Sequence, residues 1–409
     1  MFDITLAWDR PARTGPRPTR HILRVHVEPR KTIDVGNGLP VRIAIALDLS
    51  GSMAGEKFAK AKEACRQVVQ MLRPQDRLWL CGFATELIPV IECQAGGPDG
   101  VEAAAAMLRR LQPNGVTRTE LGLEWALQSL SAPGNETRIA IMITDGHATD
   151  ARGKPLEETE SLVSIADRMA RVGINLSAVG LGDAENFNTA FLVALADRGK
   201  GAFIYADTPQ SLTSALVNRL SHAQSMGATS GVLDIALASD AKVNGVCRIR
   251  PAFVPLEGVQ EPAGYHVELG PLRSDGPTDI LLDIEVPAPD AVDSLRVADV
   301  RLSASSAAVS ASASLKNTSS YAVAQERNTG VDKDRLTWEL NLFTTELGQA
   351  RDPRKTASLL ENIQRTATKT GDKMIADEAA EQIVDLRKTG KLTPHRTTGL
   401  LTAARNQGE

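Results

Sequence analysis

Apolar residues follow two different rhythms along this chain. Between residues 41 and 224, short continuous apolar runs alternate with longer stretches in which apolar positions recur every three or four residues. Val41–Leu47, Arg77–Phe83, Arg138–Ile143, Ile174–Val179 and Ala202–Tyr205 read as strands. Lys57–Leu72, Val101–Leu111, Leu121–Leu130, Leu156–Arg171, Ala190–Ala196 and Leu212–Ala223 read as helices. In the first of these helices Phe58, Ala61, Cys65, Val68, Val69 and Leu72 share a face, and Pro74 stops it. Apolar strands separated by helices predict an α/β domain with a mostly parallel sheet covered on both faces. Such sheets bind ligands beyond the carboxyl ends of their strands, where the strand order reverses. The loops that follow strands are therefore the place to look for chemistry.

After residue 228 the rhythm shortens. Val232–Leu237, Val246–Ile249, Tyr265–Leu269, Ile280–Val286 and Val297–Leu302 are strand-like and are separated by turn signals such as Asp275-Gly276-Pro277 and Pro287-Ala288-Pro289. Strands at this spacing predict a β-sandwich. Two further alternating runs, Phe2–Trp8 and Ile22–Val27, precede the α/β region and are expected to complete that sandwich. The Arg- and Pro-rich stretch between them, Arg10 to Pro18, reads as a solvated hairpin loop. Residues 303–314, rich in Ser and Ala, fit either a last edge strand or a linker. From residue 331 the pattern is helical: Asp352-Pro353 is a cap followed by Pro in the first turn. Leu359, Leu360, Ile363 and Ala367 form one stripe, and Met374, Ile375, Ala379, Ile383 and Leu386 another. These two stripes predict an α-helical hairpin, with a short third helix after Pro394. The expected division is residues 1–40 with the sandwich, 41–226 as the α/β domain, 227–316 as the sandwich, and 331–409 as the helical region.

Composition narrows the function. The 409 residues carry 42% hydrophobic and 23% charged side chains with a formal net charge of -4, which is ordinary for a soluble globular protein and argues against nucleic acid as the main partner. Cys65, Cys81, Cys93 and Cys247 show no C-x-x-C spacing, so they read as buried small apolar residues in a reducing compartment rather than as a zinc or redox motif. The N-terminal residues lack a basic start followed by an apolar core, and no run reaches the ~20 apolar residues that cross a bilayer. The expected location is the cytoplasm, with no membrane partner.

The loop after the first α/β strand reads Asp48-Leu49-Ser50-Gly51-Ser52-Met53, and the loop after Arg138–Ile143 reads Thr144-Asp145-Gly146. Between them Gly115-Val116-Thr117 precedes a helix. Two carboxylates and three hydroxyls, without His or Cys, are hard oxygen ligands that suit a small hard cation and disfavour zinc or copper. Alternation along Asp48-x-Ser50-x-Ser52 puts three oxygens on one side of an extended segment, and Gly51 permits a tight turn. A helix cap explains the first segment alone, but not Thr117 and Asp145 with it.

This set resembles the metal-ion-dependent adhesion site of von Willebrand factor type A domains, and the strand–helix order over residues 38–224 matches that Rossmann-like, doubly wound fold. The resemblance implies that Ser50, Ser52 and Thr117 lie on or near the metal, and that Asp48 and Asp145 bind it directly or through water. It also implies that a remaining coordination position takes an acidic residue of a partner protein. Mg2+ is the expected ion, and Mn2+ and Ca2+ accept the same ligands. Two residues are less typical: Val116 stands where a second Gly is common, and Arg118 follows the threonine, where a cation either favours an acidic partner or weakens metal binding. The order of α/β, β-rich and helical regions resembles bacterial intracellular members of the family.

The expected function is a non-enzymatic, cation-dependent protein-binding module or adaptor. The alternative is a non-catalytic subunit of a chelatase-like complex. Its ATPase would act in trans, since no G-x-x-x-x-G-K-[ST] loop is present. A metal-assisted hydrolase is disfavoured because no general base or nucleophile stands out. Gly180-Leu181-Gly182-Asp183 lacks the third glycine of a dinucleotide loop, and Met53 occupies the nucleophile position of a G-x-S-x-G elbow. His147 and Asp150 read as an ordinary solvated loop beside the site.

Overall fold

A computed structural model describes residues 2–30, 38–206, 208–238, 240–261, 264–288, 293–304 and 307–405. The turn expected at Pro287-Ala288-Pro289 lies partly outside them. The described residues fall into two compact units, one within Met1–Gly36, Gly227–Lys391 and Ala403–Glu409, the other within Asn37–Met226 and Leu392–Thr402. Among the described residues no helix is long and apolar enough to cross a membrane.

The first unit begins with β1 (Phe2–Trp8), β2 (Ala12–Arg13) and β3 (Thr19–Pro29). β1 and β3 pair antiparallel, Trp8 opposite Leu23. The expected solvated loop between them is not fully solvated. Ala12 and Arg13 are buried; Arg13 donates to Asn317 Oδ1 at 2.7 Å and to the Pro287 carbonyl. An arginine fork that finds two acceptors can be buried where a lone charge could not.

The second unit contains β4 (Val41–Asp48), α1 (Glu56–Met71), β5 (Arg77–Phe83), β6 (Leu87–Ala95), α2 (Pro98–Arg110), α3 (Thr119–Leu130), β7 (Thr137–Thr144), α4 (Glu160–Arg171), β8 (Ile174–Leu181), α5 (Thr189–Arg198), β9 (Lys200–Ala206) and α6 (Pro209–Gln224). The sheet order is β6-β5-β4-β7-β8-β9. All neighbours are parallel except β6, which runs antiparallel to β5. Pro89 and breaks in register mask β6 in the sequence; both are tolerated because β6 is an edge strand. The chain leaves β4 toward β5 on one side and returns to β7 on the other, so the strand order reverses between β4 and β7.

The two faces of this sheet differ. Ile43, Ile45, Leu47, Ile139, Ile141 and Ile143 join one buried cluster with α1, α2 and α6. Ala44, Ala46, Ala140, Met142 and Ala178 join another with α3, α4 and α5. Small side chains on the second face let α3 come close: a Cβ on Gly122 would lie 2.9 Å from Phe83 Cδ1 and 3.2 Å from Ala46 Cβ.

The first unit resumes with β10 (Met226–Leu237), β11 (Lys242–Arg250), β12 (Val254–Leu256), β13 (Gly258–Glu261), β14 (Gly264–Arg273), β15 (Thr278–Val286), β16 (Ser294–Ala304) and β17 (Ala307–Asn317). Two sheets, β1-β3-β15-β11-β12 and β13-β14-β10-β16-β17-β2, share one buried cluster. The Ser/Ala-rich segment is thus a strand, hydrogen-bonded to β16. α7 (Tyr321–Gln325), α8 (Thr329–Gln349), α9 (Pro353–Thr370) and α10 (Lys373–Thr389) follow; α11 (Pro394–Arg405), which belongs to the second unit as far as Thr402, ends the described residues. The stripes expected to form a hairpin are α9 and α10; Asp352 caps α9 through Arg354 N, and Gly371 ends it in the left-handed conformation. α8 is a third long helix on α9. It also covers the outer face of β3 and β11 through Val331, beside Ile22, Cys247 and Leu281. Cys65, Cys81 and Cys247 are buried as expected, but Cys93 is exposed on edge strand β6.

His21 is buried between Trp8 and the Arg10 backbone. Nδ1 lies 3.2 Å from the Arg10 carbonyl and Nε2 2.9 Å from Thr19 Oγ1, so the neutral ring is fully engaged. Burial, reinforced by the charges of Arg10 and Arg13 and opposed by Asp9, pushes its pKa from 6.5 down to about 4. The unfolded chain takes the proton near 6.5 and the folded chain only near about 4, so protons favour unfolding between those values. This stability is complete above pH 6.5 and falls as the pH drops through that window, by on the order of 3 kcal/mol in all. Urea midpoints of wild type and His21→Gln measured from pH 7.5 to 4.5 should converge toward acid. Parallel curves would exclude the effect.

Candidate functional site

The reversal of strand order puts the ends of β4 and β7 side by side. Leu47 is opposite Ile143, so Asp48 and Thr144 emerge together, and Thr144 Oγ1 donates to Asp48 Oδ2 at 2.6 Å. Ser50 N donates to the other oxygen, Oδ1, at 2.7 Å. The loop then tightens into a single 3-10 turn, Gly51–Met53, rather than the extended segment expected from the alternation. In that turn Ser50 Oγ and Ser52 Oγ lie 3.0 Å apart, and Ser52 Oγ donates to Asp145 Oδ1 at 2.8 Å. The glycines that carry the special backbone are Gly55 and Gly115, with φ of 92° and 97°, and not Gly51.

The third segment is tied in through its backbone. Asn114 N donates to Leu49 O at 2.6 Å, and Gly51 N to Gly115 O at 3.1 Å. From the other side Thr149 N donates to Thr117 O at 2.9 Å. A Cβ on Gly146 would lie 3.3 Å from Thr117 Oγ1 and 3.6 Å from Ser52 Oγ, so these hydroxyls border one point beside Asp145. All five expected residues, Asp48, Ser50, Ser52, Thr117 and Asp145, therefore converge. Ser52 is exposed at the rim, whereas the other four are buried.

The electrostatics are those of a site short of positive charge. Asp48 and Asp145 are both fully buried. Burial, with a smaller contribution from the charge of Asp145, pushes the Asp48 carboxyl up to about 6, against hydrogen bonds from Thr144 and Ser50 that hold it down. Among the described residues no three His, Cys, Asp or Glu gather where they could hold a metal ion. A cation here would therefore rely on hydroxyls and outside ligands to complete an oxygen shell. Two carboxylates with three hydroxyls fit Mg2+, which keeps several waters and needs few protein ligands.

Sequence reasoning missed one cation and misjudged another. Lys57 Nζ donates to Asp145 Oδ2. Arg118 turns away from the carboxylates: its Nε donates to Glu120 Oε1 at 2.8 Å and its Nη1 reaches the Thr85 carbonyl. Val116 packs toward Gly153, where a Cβ would lie 2.9 Å from its Cγ1. His147 is exposed beside the site, and Asp150 accepts from Arg152 N at 2.8 Å and Lys154 N at 2.9 Å, so it shapes its own loop.

Comparison with known proteins matches residues 43–218 to the model of the von Willebrand factor type A domain. An uncharacterized protein of Synechocystis sp. is 25% identical over 281 residues, 68% of this chain and 64% of that protein. Human inter-alpha-trypsin inhibitor heavy chain H3 is 28% identical over 188 residues, 43% of this chain and 20% of that one. The chain thus spans less than two thirds of each of these curated relatives. Among solved structures, a von Willebrand factor type A protein from Catenulispora acidiphila gives a TM-score of 0.83 at 15% identity, covering 99% of this chain and 96% of its own. The ArnB paralog VWA2 from Sulfolobus acidocaldarius gives 0.64 at 16% identity, covering 100% and 98%. At such identities the likeness is one of fold alone.

Thr144 belongs to the expected motif segment, but its role emerges only from the geometry. Its hydroxyl donates to Asp48 and accepts from Gly146 N at 3.2 Å. Thr144→Val keeps the shape and removes both bonds, which should cost ~1–3 kcal/mol in chelator. Urea unfolding of the two proteins measures it, and an unchanged midpoint would mean that solvent replaces the hydroxyl.

Proposed function

We propose that this chain, whose residues 43–218 match the von Willebrand factor type A domain, is a cytoplasmic, non-enzymatic adaptor that grips an acidic side chain of a partner protein through a bound Mg2+. Domains of this type typically mediate protein–protein interactions and commonly bind a divalent cation at a metal-ion-dependent adhesion site. The observation that carries the proposal is the convergence of Asp48, Ser50, Ser52, Thr117 and Asp145 where the strand order reverses. Asp48 and Asp145 would supply the negative charge, and the hydroxyls of Ser50, Ser52 and Thr117 neutral oxygens. When bound, the cation supplies a positive centre with a coordination position for a carboxylate from outside.

The chemistry of the donor set supports this reading. A carboxylate pair so buried favours a small divalent ion over a bulky organic cation. Two carboxylates already balance a 2+ ion; neutral hydroxyls, unlike further carboxylates, add no negative charge that would repel an acidic partner.

The test is an affinity capture from native lysate with Mg2+ and with chelator, using wild type, Asp48→Ala and Thr117→Ala. A partner held only by the wild type with metal is the expected result, and an ATPase among the captured proteins would favour the chelatase-like reading of the partner. Capture equal in every lane would falsify the metal-bridged mode.

A further inference from the structure

Lys57 sits where helix physics does not ask for a cation. It is the second residue of α1, which begins after Gly55. The amino end of a helix carries partial positive charge, so a lysine there is unfavourable and an acid favourable. What Lys57 gains instead is Asp145: its ammonium donates to Oδ2, while Ser52 holds Oδ1. Asp145 is fully buried and Lys57 keeps 30% of its side chain exposed. The long stem reaches in from the rim and passes the loop after β8, where a Cβ on Gly182 would lie 3.4 Å from Lys57 Cδ and 3.8 Å from Nζ.

A buried carboxylate left without a counter-charge is strongly disfavoured. Two adjacent ones, Asp48 and Asp145, aggravate the problem without a metal, and Lys57 cancels half of that charge. A divalent ion entering the same carboxylate pair meets the ammonium as a like charge at close range. The two cations therefore compete for Asp145.

Resting on the metal-site reading above, we propose that Lys57 is a tethered competitor of the metal. It neutralises Asp145 while no divalent cation is bound, gives way when one binds, and so sets the cation concentration at which the site fills. The role is regulatory and needs no second ligand. The anchoring of Lys57 at the start of α1, five residues after Ser52, keeps the competitor permanently at hand.

The test titrates metal-free full chain with Mn2+, followed by the loss of the free-ion electron paramagnetic resonance signal, alongside melting temperatures in chelator and at saturating Mn2+. Lys57→Met should bind Mn2+ about tenfold more tightly, equivalent to ~1.4 kcal/mol. It should also melt lower than wild type in chelator and gain more from the metal. Lys57→Arg should stay near wild type. Equal or weaker Mn2+ binding by Lys57→Met overturns the proposal and leaves the metal site standing. No binding at millimolar Mn2+ by wild type or either variant overturns both. Should Lys57→Met fail to fold, the wild type still decides: reductive methylation of Lys57, read by mass spectrometry, should rise when Mn2+ is added, and unchanged labelling overturns the proposal.

Discussion

Two carboxylates buried side by side are the constraint around which this α/β unit is organised. Asp48 and Asp145 cannot be separated without breaking the pairing of β4 with β7, because each lies at or just beyond the end of its strand. Nor can two buried carboxylates so placed go without donors. Every carboxylate oxygen has a donor: Ser50 N and Thr144 Oγ1 on Asp48, Ser52 Oγ and Lys57 Nζ on Asp145. Ser52 and Thr144 satisfy the acids with hydroxyls, and a hydroxyl is both donor and acceptor. The same oxygen that gives a proton to a carboxylate can rotate and present a lone pair to a cation. A site built from Ser and Thr can thus remain folded in either condition, which one built from further carboxylates could not.

How much of this was legible in the sequence depended on the scale of each signal. Buried parallel strands such as Val41–Asp48 announce themselves, because both faces need apolar residues. α9 was legible from the Asp352-Pro353 cap as well as from its stripe, and α10 from its stripe. β6 was not, because an edge strand needs neither continuous burial nor an unbroken ladder, and Pro89 hides it. In the site, all five ligand candidates could be read because the three segments carry distinctive oxygen chemistry. Lys57 could not, since its partner lies 88 residues away. Its one local trace was its charge at the wrong end of a helix. The extended geometry inferred for residues 48–52 failed for a related reason. Alternation in a short loop does not distinguish an extended segment from a 3-10 turn, and the backbone tie to Gly115 favours the turn.

The sandwich unit shows a complementary case, where buried charge organises packing. Asp334, buried on α8, receives Arg24 at 3.0 Å and Arg250 at 2.5 Å, and Arg250 also reaches Asp279 at 2.6 Å. A buried acid of this kind adds little stability over an apolar replacement, but losing one partner would strand a charge. The donors come from β3 and β11, strands far apart in sequence and separated in the sheet by β15. Nothing local in the sequence links them to the helix. Here Asp334 faces two guanidinium groups and Asp279 one guanidinium and the His26 imidazole, whereas Asp48 faces a hydroxyl and a main-chain amide. That difference in donors separates a structural cluster from a site suited to exchange its counter-ion.

The position of Thr117 is set from below as well as by the backbone ties of its own loop. α3 starts two residues after it, and α3 is seated by Gly122 against Phe83 and Ala46. A larger residue at 122 would lift the helix, since the contacts it would meet lie at 2.9 and 3.2 Å on a packed sheet. The lift would carry Thr117 with it, away from Ser52 and Gly146. The small residues on that face of the sheet, Ala44, Ala46 and Ala140, therefore bear on the chemistry as much as on the core. They allow a helix to lie close enough for the hydroxyl before it to meet two loops from other strands. The proposed cation site would tolerate errors of only a fraction of an ångström in its ligands, and close packing of helix on sheet supplies that precision where a free loop would not.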